Sequence, residues 1–494
     1  FSADEDATAL EESEHAPVGA FGAAQPSESL ETKQSKIPKT NKPADWASFW
    51  SQLNLIAIAV PTVAAIWAAS AGASKVTLLM GLGIGLVVNF GLQAVFRVVS
   101  NRGEKDPSVL SRASFGVYAN VLPSVLMFAF RSVVLVVVAA TSVLILVPLV
   151  AGAPQVTTQS PLGTSWLGAL SVVVLIAAMV LSSLPAAARV WAQAVSSTLG
   201  LVGVGLLAST QSIGSLGALD LAQVLLISVV TLIALAGLSG FERGAKASKQ
   251  STLSWLGIQL SAAFVIPVAV ASALSIALGS IPAGQLTFVT FANYFLALPL
   301  WLAQTVLVFA VLFVCVLASQ LFKFAGRSLE GTFVARIRWQ QSITLLVAAS
   351  VAVLFGMVAT SFDFVAQLVL VLLVPVFAWL GIFLSEGLLR RLNFHDVSLQ
   401  RGYAFYKRIS IVAVLGFSGS VTLGLGLTSA DSIAWVGYLT KWFDGFLVFG
   451  DLSGAFWAFV AACVWSLITS IPKIHKQESE IAAIDERRSE IAGV

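Results

Sequence analysis

Residues 118–147 read Tyr-Ala-Asn-Val-Leu-Pro-Ser-Val-Leu-Met-Phe-Ala-Phe-Arg-Ser-Val-Val-Leu-Val-Val-Val-Ala-Ala-Thr-Ser-Val-Leu-Ile-Leu-Val, with Arg131 as their sole charge. About 20 such residues suffice for a helix to cross a bilayer. The alternation of polar and apolar residues that marks a barrel strand is absent here and in the other apolar stretches. The surrounding composition agrees. Of 494 residues, 57% are hydrophobic and 11% charged, and the mean hydropathy is +0.90. Soluble domains carry about 25% charged residues. An ordinary soluble enzyme is thereby excluded, and the chain reads as an all-α polytopic membrane protein. Cys315 and Cys463 lie inside apolar runs, so no disulfide scaffold is expected. The net charge of +3 and the lack of a Lys/Arg tract argue against nucleic acid.

Twelve stretches qualify as spans: 49–71, 76–98, 118–147, 167–188, 191–208, 222–240, 253–278, 288–320, 343–359, 364–384, 409–427 and 446–468. Tryptophans such as Trp50, Trp166, Trp255, Trp339 and Trp442 stand near their ends, as an aromatic belt requires. Loop charge tests the count independently. With the N-terminus placed in the cytosol, all but three of the 28 Lys and Arg fall on the inner side. The exceptions are Lys75 and Lys441 outside and Arg131 within span 3. The positive-inside rule thus supports twelve spans in a cell membrane with both termini cytosolic. Residues 1–45, polar with an acidic start, read as a disordered cytosolic tail and not as a signal peptide. Residues 46–472 form the membrane domain, and 473–494 a charged cytosolic tail able to form a short helix.

Depth counting nominates the residues at the membrane centre. Span 1 centres near Val60 and Pro61, span 6 near Thr231, and span 8 near Gln304 and Thr305. Arg131 lies about 13 residues, roughly 20 Å, from the inner end of span 3. An intramembrane charge is expensive and must face a cavity or an acceptor. Three roles stay open for it: contact with substrate or an ion path, hydrogen bonds to backbone carbonyls, or snorkelling to an interface. Pro61 and the Gly237-Leu238-Ser239-Gly240 run mark spans 1 and 6 as interrupted helices. Breaks are expected near Ala59–Thr62 and Thr231–Gly237, the pattern of inverted-repeat transporters. Gly81, Gly83 and Gly85 allow close helix approach in span 2. His15, His395 and His475 all lie outside the spans, and no nucleophile–base or metal-ligand spacing is present, so no enzyme activity is expected.

Three motifs carry a family resemblance. Residues 107–126, with Arg112-Ala-Ser-Phe-Gly-Val117 and Leu122-Pro123, resemble the entry to span 3 of the nucleobase:cation symporter family, which includes purine–cytosine permeases and the hydantoin transporter. Gly240-Phe241-Glu242-Arg243 with Lys246 and Lys249 is similar to that family's loop after span 6. Val374-Pro375 through Ser385-Glu386 to Arg390-Arg391 is similar to its span 10. The resemblance implies a leucine-transporter-like fold: repeats of about 46–210 and 220–390 in five-plus-five inverted arrangement, then two extra helices over about 408–470. It implies substrate held between spans 1, 3, 6 and 8, here by Ala59, Val60, Pro61, Arg131, Thr231, Gly237 and Gln304. A coupling cation, proton or sodium, would sit between spans 1 and 8 at Ile58 and Thr305; no other cofactor is implied. The chain departs from the family pattern where stacking tryptophans are expected, near Val134 and Thr231, and Val314 falls near a sodium-ligand Asn.

The function expected is secondary active transport of a small polar, nucleobase-related solute by alternating access. The partners are that solute and the bilayer; oligomeric state is not readable. The alternatives are an uncoupled facilitator or a transporter of an unrelated small anion.

Overall fold

The computed structural model describes residues 54–100, 102, 106–151, 165–210, 217–238, 264–278, 298–332, 339–358, 362–394, 398–399, 406–430, 433–443, 445, 449 and 452–492. Twelve apolar helices run through them. They are α1 Val60–Ser70, α2 Lys75–Ser100, α3 Val121–Ala151, α4 Ser165–Ser183, α5 Ala186–Ser209, α6 Leu221–Gly237, α7 Ile266–Leu278, α8 Leu300–Ser328, α9 Gln340–Val358, α10 Phe362–Leu389, α11 Ile411–Gly426 and α12 Ser453–Ala492. Each falls on one of the twelve spans.

The inverted repeat is visible in which helices touch. Adding five to a helix number in the first repeat, and subtracting five in the second, turns one packed pair into another. Where α2 packs on α6, α7 packs on α1. The pairs α4–α8 and α9–α3, α5–α8 and α10–α3, α5–α7 and α10–α2, and α3–α4 and α8–α9 correspond likewise. The pairs α1–α6, α2–α7, α3–α8 and α4–α9 map onto themselves. Five is odd, so the second repeat starts at the opposite end of the bundle. Accordingly the start of α6 lies beside the turn from α1 into α2: Asp220 N–H donates to Thr77 Oγ1 at 3.1 Å, and Ser74 Oγ donates to Ala218 O at 2.5 Å. The extra helices α11 and α12 pack on each other and on α10.

Local chemistry explains the irregular segments. α1 is entered through a π-helical turn, Asn54–Ala59, and becomes α-helical at Val60. Pro61 has no N–H to give to residue 57, and its ring crowds that carbonyl; widening the turn relieves both. Thr62 Oγ1 donates to Ile58 O at 2.6 Å, satisfying an acceptor at the transition. The disturbance expected near Ala59–Thr62 is therefore a π-to-α change. The break expected over Thr231–Gly237 is not seen. α6 is regular to Gly237, contains no proline, and its Thr231 hydroxyl donates to Ile227 O at 2.8 Å along the helix. The charged tail is also no separate element: α12 runs 40 residues, about 60 Å, through Pro472 to Ala492. Its second half is too polar to stay in a bilayer and extends the helix beyond it.

The α2–α6 contact shows the glycines at work. A Cβ on Gly81 would stand 2.7 Å from Ile227 Cβ, and one on Gly85 would stand 2.7 Å from Thr231 Cβ, whereas Gly83 faces open space. Ser228 Oγ donates across this seam to Gly81 O at 2.9 Å. Small residues here let two backbones approach as membrane helices prefer.

Candidate functional site

The first candidate cluster lies where α1, α5 and α8 converge. Ile58, Ala59, Val60 and Pro61 are all buried at the π-to-α transition. Beside Gly200 of α5 stand the Ile58 side chain and the Phe313 ring of α8, at 3.6 and 3.2 Å from a Cβ built there. The Ile58 side chain and the Phe313 ring thus meet at Gly200, while the Ile58 carbonyl accepts from the Thr62 hydroxyl. Thr305 is eight residues from Phe313, about 12 Å along α8, and its hydroxyl donates to Trp301 O at 2.7 Å. Ile58 and Thr305, read from sequence as one ion site, are not brought together.

The span 8 register accounts for this. The apolar run 288–320 suggested a centre at Gln304 and Thr305. The helix instead starts at Leu300, behind Pro299 as its N-cap, and runs to Ser328. Its centre is at Val314, and Gln304 is exposed in the second turn. Residues 288–297 lie outside the described residues.

The second cluster joins α3 to the end of α6. A Cβ on Gly237 would lie 3.6 Å from Val134 Cγ2 and 3.7 Å from Phe130 Cζ. Phe130 is fully buried. Sequence reading placed the missing aromatic platform at Val134 and overlooked the ring one turn earlier on the same face. The i−4 spacing was the signal available. Thr231 does not belong to this cluster, because it faces α2.

Arg131 is buried, and the partners of its Nη1 are on α8: Phe324 O at 3.1 Å and Ser328 Oγ at 2.6 Å. Ser328 is the last residue of that helix, whose final carbonyls lack intrahelical donors and carry the negative end of the dipole. A guanidinium suits that position. Of the roles left open by the sequence, the contacts of Nη1 match the backbone-carbonyl one, and its partners lie at the end of α8, away from the bundle centre.

The fold is that of Mhp1. Mhp1 is a nucleobase-cation-symport-1 family transporter. Its closed conformation with bromovinylhydantoin bound matches with a TM-score of 0.57 at 14% identity, over 89% of this chain and 93% of that chain. Its inward-facing conformation matches with a TM-score of 0.56 at 16% identity, over 88% and 91%. No family model matches the chain, and no curated protein does. At these identities the likeness to Mhp1 is one of fold.

Within this Mhp1-like bundle, two of the three sequence motifs meet at one end. The Arg112–Val117 motif forms a single-turn helix, Arg112–Phe115, ending at Gly116 with φ 93°. That left-handed turn lets the backbone pair with the strand-like approach to α11: Val117 N–H donates to Lys407 O and Ser410 N–H to Phe115 O. Arg112 donates to Leu399 O and to Glu330 O, at 3.1 and 2.7 Å. Glu386 of the third motif, 2% exposed, accepts from Lys473 Nζ at 3.1 Å and from Ser470 Oγ at 2.8 Å. Lys473 also donates to Ser114 O at 2.6 Å. The motifs thus form a clamp joining the α2–α3 connection, the end of α8, α10 and α12. Sequence reading placed Glu386 at a span end but missed its partner, which lies 87 residues away across α11. The second motif, Gly240–Arg243 with Lys246 and Lys249, falls outside the described residues.

Proposed function

We propose that this chain is a secondary transporter that moves a small polar, nucleobase-related solute across the cytoplasmic membrane by alternating access. The observation that carries the reading is the five-plus-five packing, shared with Mhp1 over nine-tenths of the chain. Mhp1 has been captured both closed around a hydantoin and facing inward. A bundle whose two halves make equivalent contacts can exchange their conformations, which is the structural requirement for alternating access. Substrate would lie between Ala59–Pro61, Phe130, Val134 and Gly237, where Phe130 supplies a face for a planar ring. The motif resemblance supports a nucleobase-like solute over an unrelated anion, since Arg131 is engaged with the end of α8.

Both termini would be cytosolic, as the basic loops require. Coupling to sodium would be weak, because the two side chains that meet at Gly200 between α1 and α8, Ile58 and Phe313, carry no oxygen, and the Thr62 hydroxyl is engaged with Ile58 O. Proton coupling or facilitated exchange would then take sodium's place. The test is a thermal-shift screen of purified protein over nucleobases, hydantoins and small acids, followed by proteoliposome uptake with and without imposed gradients. Failure of every nucleobase or hydantoin to stabilise the protein, with small acids doing so, would overturn the substrate assignment. Turnover of any compound would overturn transport itself.

A further inference from the structure

The basic end of the bundle holds a cavity of about 160 Å³ between α4, α5 and α8. Arg189 and Gln193, one turn apart on α5, face Gln320, Lys323 and Arg327 of α8 across it, with Ser182 of α4 at its side. Among the described residues that line it there is no carboxylate. Three cations from two elements are thus gathered around one cavity. The neighbours reinforce the field. Arg189 stands in the first turn of α5, at the positive end of a 24-residue helix whose N-cap, Pro185, gives no side-chain cap. The buried Arg189 Nε has no hydrogen-bond partner among the described residues. Gln320 is 6% exposed and brings a carboxamide to the wall. Arg327 is steadied over the Phe324 ring, 5.8 Å from its centroid.

Insertion alone accounts for basic residues at a helix end, but not for their turning inward around a shared cavity. Two guanidinium forks and an ammonium suit a tetrahedral oxyanion with several oxygens. Arg327 is the penultimate residue of α8, so the cavity lies at the end of a membrane helix, where headgroups are met. Basic pockets between membrane helices at that depth bind phosphate-bearing headgroups. We propose that this cavity binds a phosphate group, free or at the head of an anionic phospholipid. The bound group bridges the α4–α5 turn to the end of α8. This assignment does not depend on which solute is transported.

The experiment is melting of the full chain in neutral detergent. The additions are inorganic phosphate, chloride at equal ionic strength, phosphatidylglycerol or phosphatidylcholine. Phosphate or phosphatidylglycerol should raise the melting temperature saturably by about 2 °C or more. Chloride and phosphatidylcholine should not. The rise should vanish in Arg189→Gln and in Lys323→Gln/Arg327→Gln, and persist in Lys441→Gln at the opposite end. A rise with both phosphate and phosphatidylglycerol assigns the site to the phosphate group itself. A rise with phosphatidylglycerol alone assigns it to a headgroup. No rise with either, or a rise untouched by the substitutions, overturns the proposal. Should the glutamine variants fail to fold, the wild-type protein still decides. It must either broaden the phosphorus-31 line of added phosphate or retain phosphatidylglycerol over phosphatidylcholine in native mass spectra, and failure of both overturns the site.

Discussion

Glu386→Gln tests whether the clamp at the basic end is held by charge. The substitution keeps the side-chain shape and one acceptor oxygen. It leaves the Lys473 ammonium, whose side chain is 17% exposed, without its carboxylate at 3.1 Å. It also removes the anion 3.9 Å from Arg390 Nη2. Removing one partner of a buried pair costs about 3–5 kcal/mol. Lys473 keeps its bond to Ser114 O at 2.6 Å, so part of that cost is spared. The expected loss is about 2–4 kcal/mol. The assay is a double-mutant cycle of melting temperatures in one detergent, with Lys473→Met and the combined variant. Lys473→Met removes the stranded charge, so the double variant should be more stable than Glu386→Gln alone, with a coupling of at least about 1 kcal/mol. Additive effects, or a Glu386→Gln protein as stable as the parent, would refute an electrostatic clamp.

Four further outcomes follow from the geometry. Gly85→Val should prevent close packing of α2 on α6 and cost about 1–3 kcal/mol or block folding, while Gly83→Ala should leave the melting temperature unchanged. Arg131→Gln should lower stability by about 1.5–3 kcal/mol, the range for hydrogen bonds to a charged group, yet leave affinity per folded molecule unchanged, as binding and melting on one preparation will tell. Phe130→Ala should weaken binding of a planar ligand by about 0.5–1.5 kcal/mol beyond any loss of fold, read by titration calorimetry against a non-planar analogue. Uptake at fixed pH and membrane potential should not rise saturably with sodium; such a rise would refute the apolar reading of the Ile58 site.

The helix count was legible because hydropathy and loop charge are independent and agree, from Lys75 between the first two helices to Arg390 and Lys473 at the basic end. The close α2–α6 seam was legible in Gly81 and Gly85. Register was not. The apolar residues before Pro299 lengthened span 8 in the reading and shifted its centre from Val314 to Gln304. Hydropathy measures how apolar a segment is, and cannot say where its helix starts. Thr231 was chosen by depth alone, whereas the direction a side chain faces depends on which neighbour it meets, and Thr231 faces α2. Arg131 was recognised as needing an acceptor, whereas its partners, Phe324 O and Ser328 Oγ, sit on another helix almost 200 positions away. Pro61 announced its irregularity locally, since a missing N–H is a property of the residue itself.

The clamp breaks the equivalence of the two repeats. α5 and α10 are counterparts, yet 72% of the α10 window Gln367–Leu389 is buried and only 28% of Ala186–Ser209 in α5. α10 is moored by α11, α12 and the Glu386–Lys473 pair, none of which has an image on α5. Two levers of the same design thus hang from hinges of unequal stiffness. In the alternating-access cycle proposed above, a displacement shared between the halves is expected to be taken up by α5, with α10 as the fixed post against which it swings.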